Sequence, residues 1–141
     1  MYLVDAFDAD VLIYAAVKGH PLGHRVLALL PGVMMPGDAS AGIGSVLLLP
    51  ELLSKPIRDG AEYELVALAA LLARLDLRPV DQATADLAVA LGATYRLRAA
   101  DAVHLATAVN CGADRFITNN QRDFRRSIVE IAITYPADLA T

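Results

Sequence analysis

The feature that most constrains how this chain folds is an alternation: short, β-rich apolar runs are separated by segments of helical length. Strands that alternate with helices cannot pair through tight hairpins. Each crossover instead carries a helix across the sheet, which gives parallel strands covered on both faces. The runs Tyr2–Phe7, Leu77–Val80, Arg115–Thr118 and Ile128–Thr134 read as strands, and Ser45–Leu49 as a strand or the approach to a helix. Helical segments are predicted at Val11–Val17, His24–Leu30 and Glu62–Leu75, and another from Pro50 with Glu51 in its first turn. Asp81 caps a further helix to Leu91 that Gly92 ends, and Gly112 stops the helix Ala99–Cys111. Pro31–Gly44, with two prolines and four glycines, reads as loop. The expected architecture is a three-layer α/β/α sandwich with a mainly parallel sheet. Without repeats, low-complexity tracts or a polar linker, residues 1–141 read as one domain.

Composition narrows the function classes. Hydrophobic residues make up 56% and charged residues 20%, a globular balance. The longest apolar run, Leu65 to Ala73, is too short to span a bilayer and ends in Arg74. Asp5, Asp8 and Asp10 near the start are unlike a secretory leader, so a cytoplasmic location without membrane attachment is expected. The single cysteine, Cys111, excludes an internal disulfide and a cysteine-built zinc site. A net charge of −4 argues against indiscriminate coating of nucleic acid. It is compatible with a nuclease, because clustered carboxylates make a chain acidic and a bound metal reverses that field locally.

The acids themselves are informative. Asp8 follows the first predicted strand, Glu51 follows Ser45–Leu49, Asp101 opens the Ala99 helix, and Asp123 follows Arg115–Thr118 by a short loop. Ligands of open α/β sheets gather at the carboxyl ends of the strands, so these four side chains are placed to converge. Converging carboxylates repel one another unless a hard cation such as Mg²⁺ or Mn²⁺ neutralises them. Such a centre binds a phosphodiester oxygen and acidifies a water that attacks phosphorus, with no side-chain nucleophile required. Asp10, two residues beyond Asp8, is a further candidate. Asp5 reads as an edge or surface residue, and Asp38, Asp59, Asp76 and Asp114 as turn or loop residues. Against any single acid stands the plainer reading as a helix cap or dipole partner.

The segments that carry these acids resemble the PIN-domain nucleases, and among them the VapC-type toxins. Asp8-Ala9-Asp10-Val11-Leu12-Ile13-Tyr14 resembles the family's opening motif, and Ser45 to Pro56, centred on Glu51, its second. Leu97 to Ala108, with Asp101, is similar to the third almost residue for residue, and Phe116 to Asn120 with Asp123-Phe124 resembles the fourth. The resemblance implies a Mg²⁺- or Mn²⁺-dependent endoribonuclease. It also implies a homodimer, inhibited by a small antitoxin whose tail enters the active-site groove. Carried over by position, Asp8, Glu51 and Asp101 are the core metal-site acids. Where the family has an Asp two residues after the threonine, this chain has Asn120. Either Asp123 fills that place or the Asn120 amide oxygen does so without charge, which leaves the number of metals open. Thr118 is assigned to positioning water or phosphate.

His104 lies three residues beyond Asp101 on one helix face and reads first as a packed or hydrogen-bonded helix residue, second as a general acid or ligand. His20 and His24 read as loop residues without a partner. Arg96, Arg98, Lys55, Arg58, Arg115, Arg122, Arg125 and Arg126 flank the acids, as contact with a phosphate backbone requires and as ordinary solvated surface also does; Arg98 is the substrate-positioning candidate. The apolar helices Glu62–Leu75 and His24–Leu30 offer a dimer or antitoxin face beside their role in the core. Two other functions fit less well: a PIN-like binding module for RNA or protein that has lost catalysis through Asn120, and a small-phosphoester phosphatase, for which no phosphate-gripping glycine loop is visible.

Overall fold

The computed structural model describes residues 3–32 and 39–141. Five strands, β1 (Asp5–Phe7), β2 (Gly42–Ser45), β3 (Leu75–Arg78), β4 (Arg115–Ile117) and β5 (Ala132–Thr134), form one sheet in the order β3-β2-β1-β4-β5. Every pairing is parallel, so the sheet is wholly parallel rather than mainly so. Six helices surround it: α1 (Ala9–Ala16), α2 (Pro21–Leu27), α3 (Leu48–Asp59), α4 (Glu62–Leu72), α5 (Gln82–Tyr95) and α6 (Ala99–Asn110). A 3-10 turn, Pro136–Asp138, follows β5.

Strand alternation divides the core in two. Ala6 and Phe116 point to one face, where Ile43, Leu91, Leu105, Phe124 and Ile133 complete the packing under α5 and α6. Phe7 and Ile117 point to the other, against Val11, Leu12, Val26, Leu48, Leu68 and Leu72 of α1 to α4. The expected three layers follow from this division. No helix among the described residues is long and apolar enough to cross a membrane.

Several boundaries differ from the sequence reading. The strand expected at Ser45–Leu49 is displaced. β2 is Gly42-Ile43-Gly44-Ser45, inside the stretch read as loop, and helix α3 already begins at Leu48, which places Pro50 in its third position. Residues 33–38 of that stretch lie outside the described residues, Asp38 among them. A Cβ at position 42 would stand 2.5 Å from the Asp5 carbonyl oxygen and 2.7 Å from the Phe7 ring. This glycine therefore marks close strand packing rather than a turn. α4 stops at Leu72 because the chain re-enters the sheet at Leu75. Gly92 lies within α5, which runs on to Tyr95. The left-handed residue that closes α5 is Arg96, at φ 56°.

α2 starts at Pro21 rather than His24, and His20 is its cap: Nδ1 accepts from the N–H groups of Leu22 (3.2 Å) and Gly23 (3.0 Å) while the ring stacks on Tyr14 at 4.4 Å. The two histidines therefore do not lie in a partnerless loop. α1 and α2 cross so closely that a Cβ on Gly23 would meet the Tyr14 carbonyl oxygen at 1.9 Å, backbone that cannot yield locally. Gly23→Ala is expected to cost about 3 kcal/mol through overpacking, read as a lower denaturation midpoint with an unchanged m-value. A midpoint within error of the parent would mean that the crossing is not rigid.

Candidate functional site

β1 is central, and the connections run outward from it in both directions. This leaves a crevice at the carboxyl ends of β1 and β4, the switch point where open α/β sheets bind ligands. Asp8 leaves β1 as the N-cap of α1, where Oδ1 accepts from the Ala9 N–H at 2.8 Å. Its Oδ2 accepts from the Thr118 hydroxyl, just past β4, at 2.8 Å. One hydrogen bond thus bridges the switch point, and both residues are buried, at 6% and 0% exposure.

The neighbouring chain ends are tied to the same point. Asn120 N–H donates to Thr118 Oγ1 at 3.1 Å, and Asn119 N–H donates to Asp10 Oδ2 at 3.0 Å. The Asn119 amide reaches the Tyr14 hydroxyl at 3.1 Å. Asn120 donates through Nδ2 to Asp123 Oδ2 at 3.0 Å, and its own Oδ1 accepts from the Asp123 N–H at 3.3 Å. Asp101 arrives in the first turn of α6 and Glu51 in the first turn of α3. Glu51 Oε1 meets Nε2 of His104, a side chain of α6 that is 3% exposed.

The carboxyls at this end of the sheet act on one another's charge. Burial pushes Asp8 up from the ordinary carboxylate range against the pull of Thr118 and His104, with the Glu51 charge adding to the rise. Burial, then the charge of Asp8, raises Asp10 to about 7. Asp101 is raised by burial and by the charges of Asp8, Asp123 and Glu51 in turn. His104 loses basicity to burial, but the Glu51 hydrogen bond and the charges of Asp8, Glu51 and Asp101 outweigh that loss and raise it.

All four acids singled out by the sequence therefore share one electrostatic field, and Asp10 joins them. Asp5 does not. It is buried in β1 and pairs with Arg115 on the adjacent strand (Nε to Oδ1, 2.7 Å), which corrects its reading as a surface residue and removes Arg115 from the basic rim. Asp76 lies in β3, where it pairs with Arg78, and Asp59 ends α3, where it pairs with Arg58. Arg126 is held by Asp138 at 2.7 Å and covers the Tyr135 ring. Arg98, the N-cap residue of α6, is exposed. The His104–Glu51 contact and the clasp of Asn119 on Asp10 are invisible in sequence. Only the helical spacing of His104 from Asp101 pointed toward the former.

The donor set suits a hard cation: oxygen atoms, mutually repelling carboxylates, and a buried Asp10 Oδ1 without a hydrogen-bond partner. Among the described residues, no three side chains of His, Cys, Asp and Glu form a ready-made metal cage. Glu51 is engaged by His104 and Asp123 by Asn120.

Comparison with known proteins agrees with the fold. A toxin-antitoxin complex from Klebsiella pneumoniae contains a chain of TM-score 0.72 and 22% identity, covering 94% of this chain and 97% of that one. VapBC2 from Rickettsia felis, bound to a DNA fragment from its promoter, gives TM-score 0.71 at 18% identity, with 94% and 98% covered. DNA-bound VapBC from Salmonella typhimurium gives 0.72 at 20%, with 96% and 99% covered. No curated protein matches the sequence. The PIN domain family model matches residues 6–127, from β1 through the carboxyl side of β4 and hence every acid of the cluster. This chain belongs to the PIN domain family.

Proposed function

We propose that this protein is a single-domain, Mg²⁺- or Mn²⁺-dependent endoribonuclease, the toxin of a cytoplasmic toxin–antitoxin pair. The observation that carries this reading is the acidic cluster around the buried Asp8 at the β1/β4 switch point of a PIN domain. Asp8, Glu51, Asp101 and Asp123 are the residues assigned to hold the cation, with the Asn120 amide oxygen as a neutral donor. Once bound, the cation supplies an acidified water and neutralises charge on the phosphodiester oxygens.

The chain's own part is positioning. Thr118 and the start of α1 fix both Asp8 oxygens, so this carboxylate meets its ligand already oriented. Asp101 makes no hydrogen bond among the described residues and has both oxygens to give. His104 orients Glu51 from beneath, and Asn120 orients Asp123. Asp10 holds the β4–β5 connection through the Asn119 N–H, which keeps Thr118 and Asn120 at the crevice.

A homodimer and a small antitoxin are the proposed partners. Solved proteins of this fold include toxin–antitoxin complexes. Ile13 on α1, Val17 just past its end, and Tyr63 and Val66 on α4 are also exposed, Tyr63 by 97%, although Leu68, Leu71 and Leu72 of α4 are ordinary core.

The test is cleavage of labelled structured RNA by antitoxin-free protein with Mg²⁺ or Mn²⁺, against EDTA and against Glu51→Gln. The expected result is metal-dependent cutting that Glu51→Gln reduces at least a hundredfold, a loss of about 3 kcal/mol in transition-state stabilisation. One observation favours a second reading, a binding module without turnover: Asn120 replaces an acid and occupies Asp123. Metal-independent RNA binding by folded protein that never cuts would select that module.

A further inference from the structure

Beside the acidic cluster, and sharing Asp123 with it, lies a groove of about 420 Å³ between the end of α5 and the β4–β5 connection. Its walls carry three guanidinium groups, those of Arg96, Arg122 and Arg125, together with Ser127 and the half-buried Tyr95. Elsewhere the arginines other than Arg98 are committed. Arg58, Arg78, Arg115 and Arg126 each pair with a carboxylate, and Arg25 and Arg74 donate to backbone carbonyls. Among the described residues, none of the three groove arginines pairs with a carboxylate, and only Arg125 donates a hydrogen bond, to the Arg122 carbonyl at 3.3 Å. The acids nearby are Asp123, bonded to Asn120, and Glu130, bonded to the Tyr95 hydroxyl. Three of the cations that have no carboxylate partner among the described residues therefore line one groove beside the acids, in a chain of net charge −4.

The backbone adds an independent observation. Arg96 is the one non-glycine residue with positive φ among those described, at φ 56° and ψ 44°. It holds the left-handed helix-ending position that glycine fills at least cost. An arginine there is strained relative to glycine, and it lines the groove wall.

We propose that this groove is a phosphate subsite, in which Arg96, Arg122 and Arg125 grip the sugar–phosphate backbone of a single RNA strand where it enters or leaves the acidic crevice. The inference rests on the ribonuclease reading for its ligand, but its test does not require cleavage. Asp123 lines the groove and also acts on Asp101, so the groove adjoins the acids. Guanidinium forks suit phosphate oxygens, and contacts of this kind set register rather than sequence.

The experiment is equilibrium binding of a short labelled single-stranded RNA in EDTA, across a salt series, with wild type, Arg96→Gly and the triple variant Arg96→Gly/Arg122→Ala/Arg125→Ala. Each phosphate contact on a single strand contributes about 0.7 to the slope of log K against log salt. The triple variant is therefore expected to lower that slope by about 2 and weaken binding at least tenfold at low salt. Arg96→Gly is expected to raise the melting temperature while weakening binding, a divergence that a merely structural arginine would not give. In cleavage assays the variants should raise KM with kcat nearly unchanged. Unchanged affinity and slope in the triple variant would overturn the subsite even if the wild type cuts RNA. Arginine-dependent binding without cutting would uphold the subsite while the ribonuclease reading fails. Equal competition by free pyrophosphate and by unlabelled RNA of matched phosphate count would mean that an isolated anion, not a strand, is the ligand, and would overturn the strand assignment.

Discussion

Asp101→Asn is expected to lower metal-dependent RNA cleavage at least a thousandfold while leaving the metal-free fold as stable as before or slightly more so. Three effects act on this carboxylate. Its place in the first turn of α6 favours negative charge, by about 0.3–1 kcal/mol. Partial burial and the charges of Asp8, Asp123 and Glu51 act the other way, and the net result is a raised carboxyl. Without a cation the charge at Asp101 therefore weakens the fold, and an isosteric amide removes the repulsion. Under the proposed function the same charge is needed to hold the cation, and a thousandfold loss corresponds to about 4 kcal/mol of transition-state stabilisation. Single-turnover cleavage at saturating Mg²⁺, paired with urea unfolding in EDTA, reads both quantities. Cleavage retained within about tenfold would remove Asp101 from the metal site. A marked loss of metal-free stability would make it a structural cap.

The second large effect is a coupling between pH, metal and stability. For Asp10, a carboxyl raised from 3.8 to about 7, the native state binds more protons than the unfolded chain between those values, so stability must fall as pH rises through that window. Asp8 and Asp101 are raised as well and contribute with the same sign. His104, also raised, contributes stability that is complete below its unfolded value and is lost as pH climbs through its folded one, again a decline with pH. All four therefore act together. Metal-free protein is expected to lose on the order of 2–4 kcal/mol between pH 4 and pH 7.5, a window in which the lowered carboxyls of Asp81 and Asp138 are already ionised and change little. A divalent cation should reverse the trend, because it binds the deprotonated cluster. At a hundred times its Kd it adds about 2.7 kcal/mol near pH 8 and little at pH 5, where protons compete. Thermal melts with Mg²⁺ or EDTA at the two pH values would show this as a metal-induced rise confined to the higher pH. An equal rise at both, or a flat metal-free profile, would mean that the acids do not titrate as one cluster.

The layers, the strand alternation and the four acids were legible in the sequence because each rests on local rules. Ala6 against Phe7, and Phe116 against Ile117, divide between two faces by strand period alone. Asp8 and Asp101 were recognisable because they occupy helix starts. The basic rim was only half legible. Composition could not distinguish Arg115, committed to Asp5 across two strands, or Arg126, held by Asp138, from Arg122 and Arg125, which no carboxylate engages. Those pairings link residues 110 and 12 positions apart, and no pattern in the chain encodes them.

What the sequence by itself determined is the α/β class and the order of its elements, since periodicity and capping are properties of short segments. Tertiary structure decided the rest. β2 is a strand because the Phe7 ring and the Asp5 carbonyl leave room only for glycine at position 42, although Gly-Ile-Gly-Ser has little strand propensity of its own. Glu51 and His104 meet because α3 and α6 open at the same end of a wholly parallel sheet. Asp8, Asp10 and Asp101 are raised, by burial first and by neighbouring charge second, and that burial exists only once both faces of the sheet are covered.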